Sequence, residues 1–165
     1  MFSDEIVDLA QKIIDHCIKK EIRIALAESC TGGLITAALT EIPGSSAVVD
    51  RGCVTYSNGA KMDILGVDRQ TLAVEGAVSE DTAREMVAGA LNTRQVHAAI
   101  AVTGIAGPGG GTKDKPVGRV HIAAGRIGFE TQHKKCSFGD IGRSEVRQAT
   151  VVTALKMLNQ IVRKR

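Results

Sequence analysis

Ser29 is a candidate nucleophile, because it lies in a turn between a predicted strand and a predicted helix. The first N–H groups of a helix have no partner within it, so they can point at a developing oxyanion. Those donors would belong to the four residues that follow, Cys30, Thr31, Gly32 and Gly33. The same position suits an N-cap serine, worth about 1 kcal/mol to the helix. The residues alone leave both roles open.

Lys61 and Tyr56 stand in the turn and short helix after the next predicted strand. An ordinary lysine has a pKa of about 10.4, so it becomes a base at neutral pH only when burial or a nearby cation lowers that pKa. Most lysines are solvated surface charges, and a tyrosine at a strand end often covers the edge of a core. Catalysis by Lys61 therefore requires that the fold bury it.

A candidate anion site begins the last predicted helix. Arg143 stands there, where the helix dipole disfavours a cation unless an anion is also bound, and Arg147 follows one turn later. With the free helix N–H groups they would bind a phosphate or carboxylate; two solvated arginines are the alternative. The glycines within residues 103–111 would let backbone N–H groups approach the same ligand.

The elements that must position these residues alternate between helix and strand. Apolar periodicity predicts helices over residues 4–19, 34–39, about 61–65, 79–91 and 142–162. Strand patterns occur at residues 23–27, 48–56, 98–102, 120–124 and 130–137, the last two antiparallel because their connection is short. This order predicts an α/β fold, a three-layer α/β/α sandwich over a mixed, mostly parallel sheet. Ligands bind at the carboxyl ends of parallel strands, so the turns after the first three strands would converge.

Length and composition exclude several classes of protein. The 165 residues fit one domain, and a net charge of +3 is too small to indicate binding to DNA or to membranes. Three Phe, one Tyr and no Trp are few for stacking on single-stranded nucleic acid. The acidic start at residues 3–5 differs from a signal peptide, and no apolar run approaches the ~20 residues of a membrane span. We expect a cytoplasmic protein.

The sequence also lacks the standard motifs of cofactor and metal chemistry. Neither a P-loop, nor a dinucleotide fingerprint, nor a G-x-S-x-G elbow occurs. Four cysteines and four histidines show no metal-ligand spacing. Cys17 and Cys53 are interpreted as small buried apolar residues. The sequence therefore gives no support to nucleotide triphosphate hydrolysis, and a structural zinc site is not expected.

Six motifs, in order along most of the chain, resemble those of the CinA C-terminal domain family: Ala27–Gly33, Pro43–Ser46, Tyr56–Lys61, Gly76–Glu80, Thr103–Pro108 and Lys115–Gly118. The resemblance implies an α/β/α fold, with residues 1–165 as a single amidohydrolase domain. It implies hydrolysis of nicotinamide mononucleotide (NMN) to nicotinic acid mononucleotide and ammonia, a step of pyridine nucleotide salvage and NAD metabolism.

Matching the motifs residue by residue makes Ser29 the nucleophile and Lys61 its general base, with Tyr56 beside them to move a proton or hold the lysine. The backbone N–H groups of Cys30, Thr31, Gly32 and Gly33 would hold the tetrahedral oxygen. Ligand-binding positions fall on Ser46, Thr103, Gly104, Gly107 and Arg143, with Arg143 at the phosphate. Such a serine–lysine mechanism needs no metal or other cofactor.

Two other functions fit parts of the sequence. A catalytically silent nucleotide-binding module would use the same phosphate and ribose contacts, although it has no need of a base. A DNA-associated factor, suggested by the family's competence and damage label, finds little support in the charge and aromatic content. A homodimer or larger homo-oligomer is expected for so small a domain. Full-length family members often carry a larger N-terminal domain, which is not expected in this chain.

Overall fold

The computed structural model describes residues 2–165, whose strands form one five-stranded sheet in the order β2-β1-β3-β4-β5. The strands are β1 (Ile24–Glu28), β2 (Val49–Val54), β3 (Ala98–Gly104), β4 (Arg119–Arg126) and β5 (Gln132–Ser137). β1 is parallel to β2 and β3, whereas β4 is antiparallel to β3 and β5. Only β4 runs against the others, which confirms the mixed, mostly parallel sheet and the antiparallel pairing of the last two strands.

Helices cover both faces of this sheet, which confirms the three-layer α/β/α sandwich. They are α1 (Asp4–Lys20), α2 (Leu34–Thr40), α3 (Asn58–Leu65), α4 (Arg69–Val74), α5 (Glu80–Leu91) and α6 (Arg143–Val162). Helices α1, α2 and α6 pack on one face, and α3, α4 and α5 on the other. The sequence pattern does not predict α4, because its six residues are too few to show a helical period.

The two faces of the sheet differ in side-chain size, because successive residues of a strand point to opposite sides. The face under α5 is made of alanines: Ala25, Ala27, Ala99, Ala101 and Ala123. The opposite face carries larger aliphatic side chains: Ile24, Leu26, Ile100, Val102 and Ile122. Helix α5 can therefore approach the sheet closely, and α3, which carries Lys61, packs against it.

The ends of β1, β2 and β3 lie at one edge of the sheet. Their parallel register aligns Glu28 with Val54 on one side and with Val102 on the other. β2 ends at Val54, earlier than predicted, and residues 55–57 turn directly into α3. The three turns expected to converge do share this edge. None of the helices within residues 2–165 has the length and apolar character needed to cross a membrane.

Candidate active site

Lys61 and Ser29 meet at the carboxyl edge of the sheet. The Lys61 Nζ lies 3.2 Å from the Ser29 Oγ and donates a hydrogen bond to the Thr55 carbonyl oxygen at 2.8 Å. Lys61 is only 1% exposed, and this burial lowers its pKa because the charged ammonium loses hydration. The solvated-lysine interpretation is therefore wrong, and the condition for a basic amine at this position is met.

Local structure explains how a lysine becomes buried here. Helix α3 starts immediately after the β2 turn, with the Ser57 hydroxyl accepting from the Ala60 N–H as its N-cap. One turn later the helix places Lys61 toward the sheet rather than toward solvent. Leu65, the next buried residue of α3, packs with the apolar residues under α5. Packing of α3 thus fixes the position of the amine.

Glu28, the residue before the serine, holds the turn that carries it, and the sequence analysis gave it no role. It is fully buried at the end of β1. Its carboxylate accepts five hydrogen bonds, from the Thr31 and Thr36 hydroxyls and from the N–H groups of Gly33, Ile35 and Thr36. An acidic residue that ends an apolar strand and precedes Thr-Gly-Gly was the available signal.

This network changes the interpretation of Ser29. Helix α2 begins at Leu34 with Gly33 as its N-cap residue, so Ser29 does not cap the helix. Glu28 supplies the acceptor for the first N–H groups of α2 instead, where the helix dipole favours a negative charge. Ser29 is 9% exposed, and its own N–H donates to the Val102 carbonyl at 3.1 Å. Its hydroxyl is left facing Lys61.

The four N–H groups expected around the oxyanion divide into two pairs. The Gly33 N–H donates to Glu28 at 3.0 Å, and the Gly32 N–H donates to the Ser29 carbonyl at 3.0 Å, so both are already engaged. The N–H groups of Cys30 and Thr31 have no acceptor among residues 2–165. Positive φ angles at Gly32 and Gly33 let the chain turn this tightly.

Cys30 follows Ser29 directly, but its thiol is unreactive. Its side chain is 5% exposed, and burial raises the pKa of its thiol to about 11. A thiol with such a pKa stays protonated at neutral pH, and the thiolate is the nucleophilic form. Ser29 is therefore the better candidate nucleophile of the two adjacent residues.

Both arginines of α6 donate hydrogen bonds to the chain, and Arg143 is exposed to solvent as well. The Arg147 Nη2 donates to the Thr31 carbonyl at 2.9 Å, which ties α6 to the Ser29 turn. The exposed Arg143 donates from Nη1 to the Gly107 carbonyl and from Nη2 to the Tyr56 hydroxyl, both at 2.9 Å. Arg143 thus connects the β2 turn with the loop after β3.

Tyr56 is 61% exposed, so the interpretation of this residue as a cover for the core edge is wrong. Its hydroxyl meets Arg143, and no hydrogen bond joins it to Lys61 among the described residues. The hydroxyl and the guanidinium together present polar groups to solvent at the mouth of the site. This arrangement suits contact with a ligand more directly than support of the lysine.

The end of β3 and the loop after it lie at the same edge of the sheet as Ser29 and Lys61. Thr103 is 1% exposed and donates from its hydroxyl to the Ala77 carbonyl at 2.7 Å, so it tethers the segment before α5. At Gly104 a Cβ atom would lie 2.6 Å from the Val120 side chain. At Gly107, where φ is +80°, a Cβ atom would lie 2.6 Å from Val117. Both glycines are required by close packing of the loop.

Ser46 lies away from these residues, which corrects its expected place in the site. It is an exposed residue of the 3₁₀ turn Ser45–Ala47, which precedes β2. β2 then runs six residues, about 20 Å, toward the Lys61 edge. Because β1 and β2 are parallel, Ser46 lies at the amino ends of these strands and Ser29 at their carboxyl ends, within one chain.

Across residues 2–165, no group of three or more His, Cys, Asp or Glu side chains has an arrangement that could hold a metal ion. The described polar groups at this edge are instead an amine, a hydroxyl, two arginines and backbone N–H groups. Together they can deprotonate a hydroxyl, hold a developing oxyanion and contact an anionic ligand.

Comparisons with known proteins agree with this architecture. The model of the CinA C-terminal domain family matches residues 6–162. A crystal structure of the competence/damage inducible protein CihA from Agrobacterium tumefaciens has a TM-score of 0.96 and 53% identity, covering 98% of each chain. The competence damage-inducible protein A (ComA) from Klebsiella pneumoniae has a TM-score of 0.88 and 37% identity, covering 94% of this chain and 95% of its own.

Curated relatives are longer than this chain. A protein of Acetivibrio thermocellus, named as competence-damage inducible, is 45% identical over an alignment of 165 residues that covers 99% of this chain and 39% of that protein. A CinA-like protein of Anaeromyxobacter dehalogenans is 44% identical over 161 residues, covering 97% of this chain and 38% of its own length. The chain thus spans about two fifths of these relatives.

Proposed function

Because the chain belongs to the CinA C-terminal domain family, we propose that it is a nicotinamide-nucleotide amidohydrolase, which converts NMN and water to nicotinic acid mononucleotide and ammonia. The observation that carries this proposal is the 3.2 Å separation of the Lys61 Nζ and the Ser29 Oγ, with the lysine 1% exposed. A protein that only binds nucleotides has no need of a buried amine beside a serine hydroxyl.

In the first half of the reaction, the neutral Lys61 amine takes the proton of the Ser29 hydroxyl as the Oγ attacks the carboxamide carbon. The carbonyl oxygen becomes an oxyanion, and the N–H groups of Cys30 and Thr31 are the free donors for it. The Lys61 ammonium then gives its proton to the amide nitrogen as the C–N bond breaks. Ammonia leaves, and the acyl group stays on Ser29 as an ester.

In the second half, water attacks the ester carbon and Lys61 takes a proton from that water. When the tetrahedral intermediate collapses, the Ser29 oxygen leaves and regains the proton from Lys61. The product forms as the pyridine carboxylic acid, which passes its proton to the released ammonia or to water and becomes the carboxylate, and both side chains return to their starting states. One amine therefore serves as base and acid in turn, which burial favours because it lowers the Lys61 pKa.

Arg143 is the proposed contact for the nucleotide phosphate, and Tyr56 is the neighbouring polar group at the mouth of the site. Thr103, Gly104 and Gly107 would shape the wall beside them. Support for this arrangement comes from the shared edge on which these residues lie and from the unshielded position of the arginine. The same contacts would serve a catalytically silent nucleotide-binding module, which is the competing proposal.

Ammonia release from NMN by the metal-free protein tests the proposal, with Ser29→Ala and Lys61→Met as variants. We expect the rate to fall about 10²- to 10⁴-fold in Lys61→Met and at least as far in Ser29→Ala. Lys12→Met, on the exposed side of α1, is the matched control and should keep the full rate. Tyr56 is the only tyrosine and there is no tryptophan, so tyrosine emission reports ligand binding in every variant.

Absence of turnover with intact binding, unchanged in Ser29→Ala, would support the silent module instead. The pH dependence adds an independent check. Because burial lowers the Lys61 pKa, kcat/KM should rise with pH and level off below the ordinary lysine pKa. Lys61→Arg stays protonated at every pH used and should remain inactive throughout. A rate that is flat down to acidic pH would rule out Lys61 as the base.

We also propose an oligomeric state and a cellular location for the protein. We infer a homodimer or larger homo-oligomer, because the chain is a small domain of 165 residues. Sedimentation velocity would test it directly. The nucleotide substrate and the free thiols of all four cysteines support action in the reducing cytoplasm.

A further inference from the structure

A cavity of about 510 Å³ lies beside the loop between β3 and β4, on the side of β4 and β5. One wall is the glycine-rich segment of residues 108–112, and the others come from the β4 start and the turn after β5. None of the residues placed in the candidate active site lines it. The cavity is therefore a second polar recess at the same edge of the sheet.

Arg119 brings a positive charge to this cavity. Among residues 2–165 its guanidinium has one partner, the Asp114 carbonyl, to which Nη1 donates at 3.2 Å. Its Nε is buried and has no acceptor. A phosphate or carboxylate oxygen is the partner that guanidinium groups bind most strongly. The Arg119 Nη2 has no acceptor among residues 2–165, so this side chain of the cavity lining keeps a terminal donor free for an anion.

The glycine-rich wall offers further donors. The N–H groups of Gly109, Gly110 and Gly111 donate to no acceptor among the described residues. Gly110 has a φ of +84°, and a Cβ atom at Gly109 would contact nothing within 4 Å, so the backbone is open to a ligand. Successive free N–H groups in such loops bind phosphate oxygens.

Two further polar side chains of the cavity select the kind of anion. Asp140 and Ser137 are among its lining residues, and a carboxylate repels a bare anion but accepts hydrogen bonds from hydroxyl groups. A ligand that satisfies the whole lining carries both a phosphate and hydroxyl groups. Sugar phosphates have this chemistry.

We propose that this cavity binds a sugar phosphate group, with Arg119 and the N–H groups of Gly109–Gly111 on the phosphate and Asp140 on a sugar hydroxyl. β4 lies two strand spacings from β1, so Arg119 is on the order of 10 Å across the sheet from Ser29. The sugar phosphate belongs either to a separate small molecule or to the nucleotide substrate, and in the second case Arg119 takes the phosphate in place of Arg143. Both sources share the same recognition chemistry.

Calorimetric titration with ribose 5-phosphate tests the site without any need for catalysis. The Kd should increase about ten- to a hundredfold in Arg119→Met, because a charged hydrogen-bonding partner is lost. Arg119→Lys should bind with intermediate affinity, since it keeps the charge without the fork. Arg69→Met, at an exposed position of α4, is the matched control and should bind as the wild type. Asp140→Asn should weaken ribose 5-phosphate more than inorganic phosphate.

Unchanged affinity in both Arg119 variants would overturn the proposal, and so would a loss seen in Arg143→Met alone, which would assign the phosphate to the candidate active site. Kinetic measurements then distinguish the phosphate of NMN from that of a separate ligand. This part of the test rests on the proposed amidohydrolase function. If the phosphate is the substrate's, Arg119→Met lowers kcat/KM for NMN but leaves it unchanged for the phosphate-free nucleoside. If the ligand is separate, ribose 5-phosphate binds wild type without competing with NMN.

Discussion

At the scale of single residues, the candidate site depends on two buried ionisable groups with opposite surroundings. Glu28 has five hydrogen-bond donors around its carboxylate, which suit its negative charge. Lys61 has only neutral oxygens within hydrogen-bond distance, and burial lowers its pKa. Glu28 thus accepts the hydrogen bonds that hold the turn, and the pKa of Lys61 is shifted toward the neutral amine that a base requires.

This contrast predicts a large effect of Glu28→Gln on stability. The amide keeps the shape but loses the charge, and its NH₂ group would face N–H and hydroxyl donors that need an acceptor. We expect a loss of about 3 kcal/mol in the free energy of unfolding, measured by urea denaturation. Glu41→Gln, at the exposed C-cap residue of α2, should change the free energy of unfolding by less than about 0.5 kcal/mol. Equal effects of the two substitutions would contradict the role given to Glu28.

At the scale of elements, the position of Lys61 depends on how closely α3 and α5 approach each other. A Cβ atom at Gly89 of α5 would lie 1.9 Å from the Leu65 carbonyl oxygen, at the last residue of α3. No side chain fits there unless the backbone of one helix moves. The glycine therefore sets the distance between α5 and the helix that carries the proposed base.

Two helical glycines should consequently respond to alanine with opposite signs. Gly89→Ala should destabilise the protein by about 2 kcal/mol, because the clash with Leu65 outweighs the gain in helix propensity. Gly59→Ala in α3 meets nothing closer than the Ser57 Oγ at 3.8 Å and should stabilise it by about 0.5 kcal/mol. Thermal unfolding of both variants is the measurement. Stabilisation by Gly89→Ala would mean that the helices are further apart in solution.

At the scale of the whole molecule, the three layers bury the cysteines unequally. Cys17, Cys30 and Cys136 are at most 6% exposed, which confirms the interpretation of Cys17 as a buried apolar residue. Cys53 is only half-buried, because it lies on the edge strand β2, so the same interpretation is wrong for Cys53. Burial raises the thiol pKa of Cys17 to about 12 and that of Cys30 to about 11, and it also raises that of Cys136. Reactivity of the thiols therefore reports whether the layers remain packed.

One thiol should react quickly with Ellman's reagent in the native protein at pH 8, and all four should react in denaturant. Cys53→Ser should remove the fast reaction, because the other thiols are protected from both solvent and deprotonation. Absorbance at the thionitrobenzoate band follows both phases. A second fast thiol in the native protein would show that α1 or α6 separates from the sheet.

Apolar periodicity and connection length are local properties of the chain, so they are sufficient to predict the layered α/β architecture and the direction of its strands. Because turns after parallel strands converge, they also predict Ser29, Lys61 and Tyr56 as neighbours along one edge of the sheet. Which polar groups are buried, and which of them contact each other, is visible only in the folded molecule. The Lys61 amine meets the hydroxyl of a serine 32 residues away along the chain, and Ser46 is separated from Ser29 by the length of β2. Burial and hydrogen-bond partners depend on packing between distant segments, which no local pattern encodes.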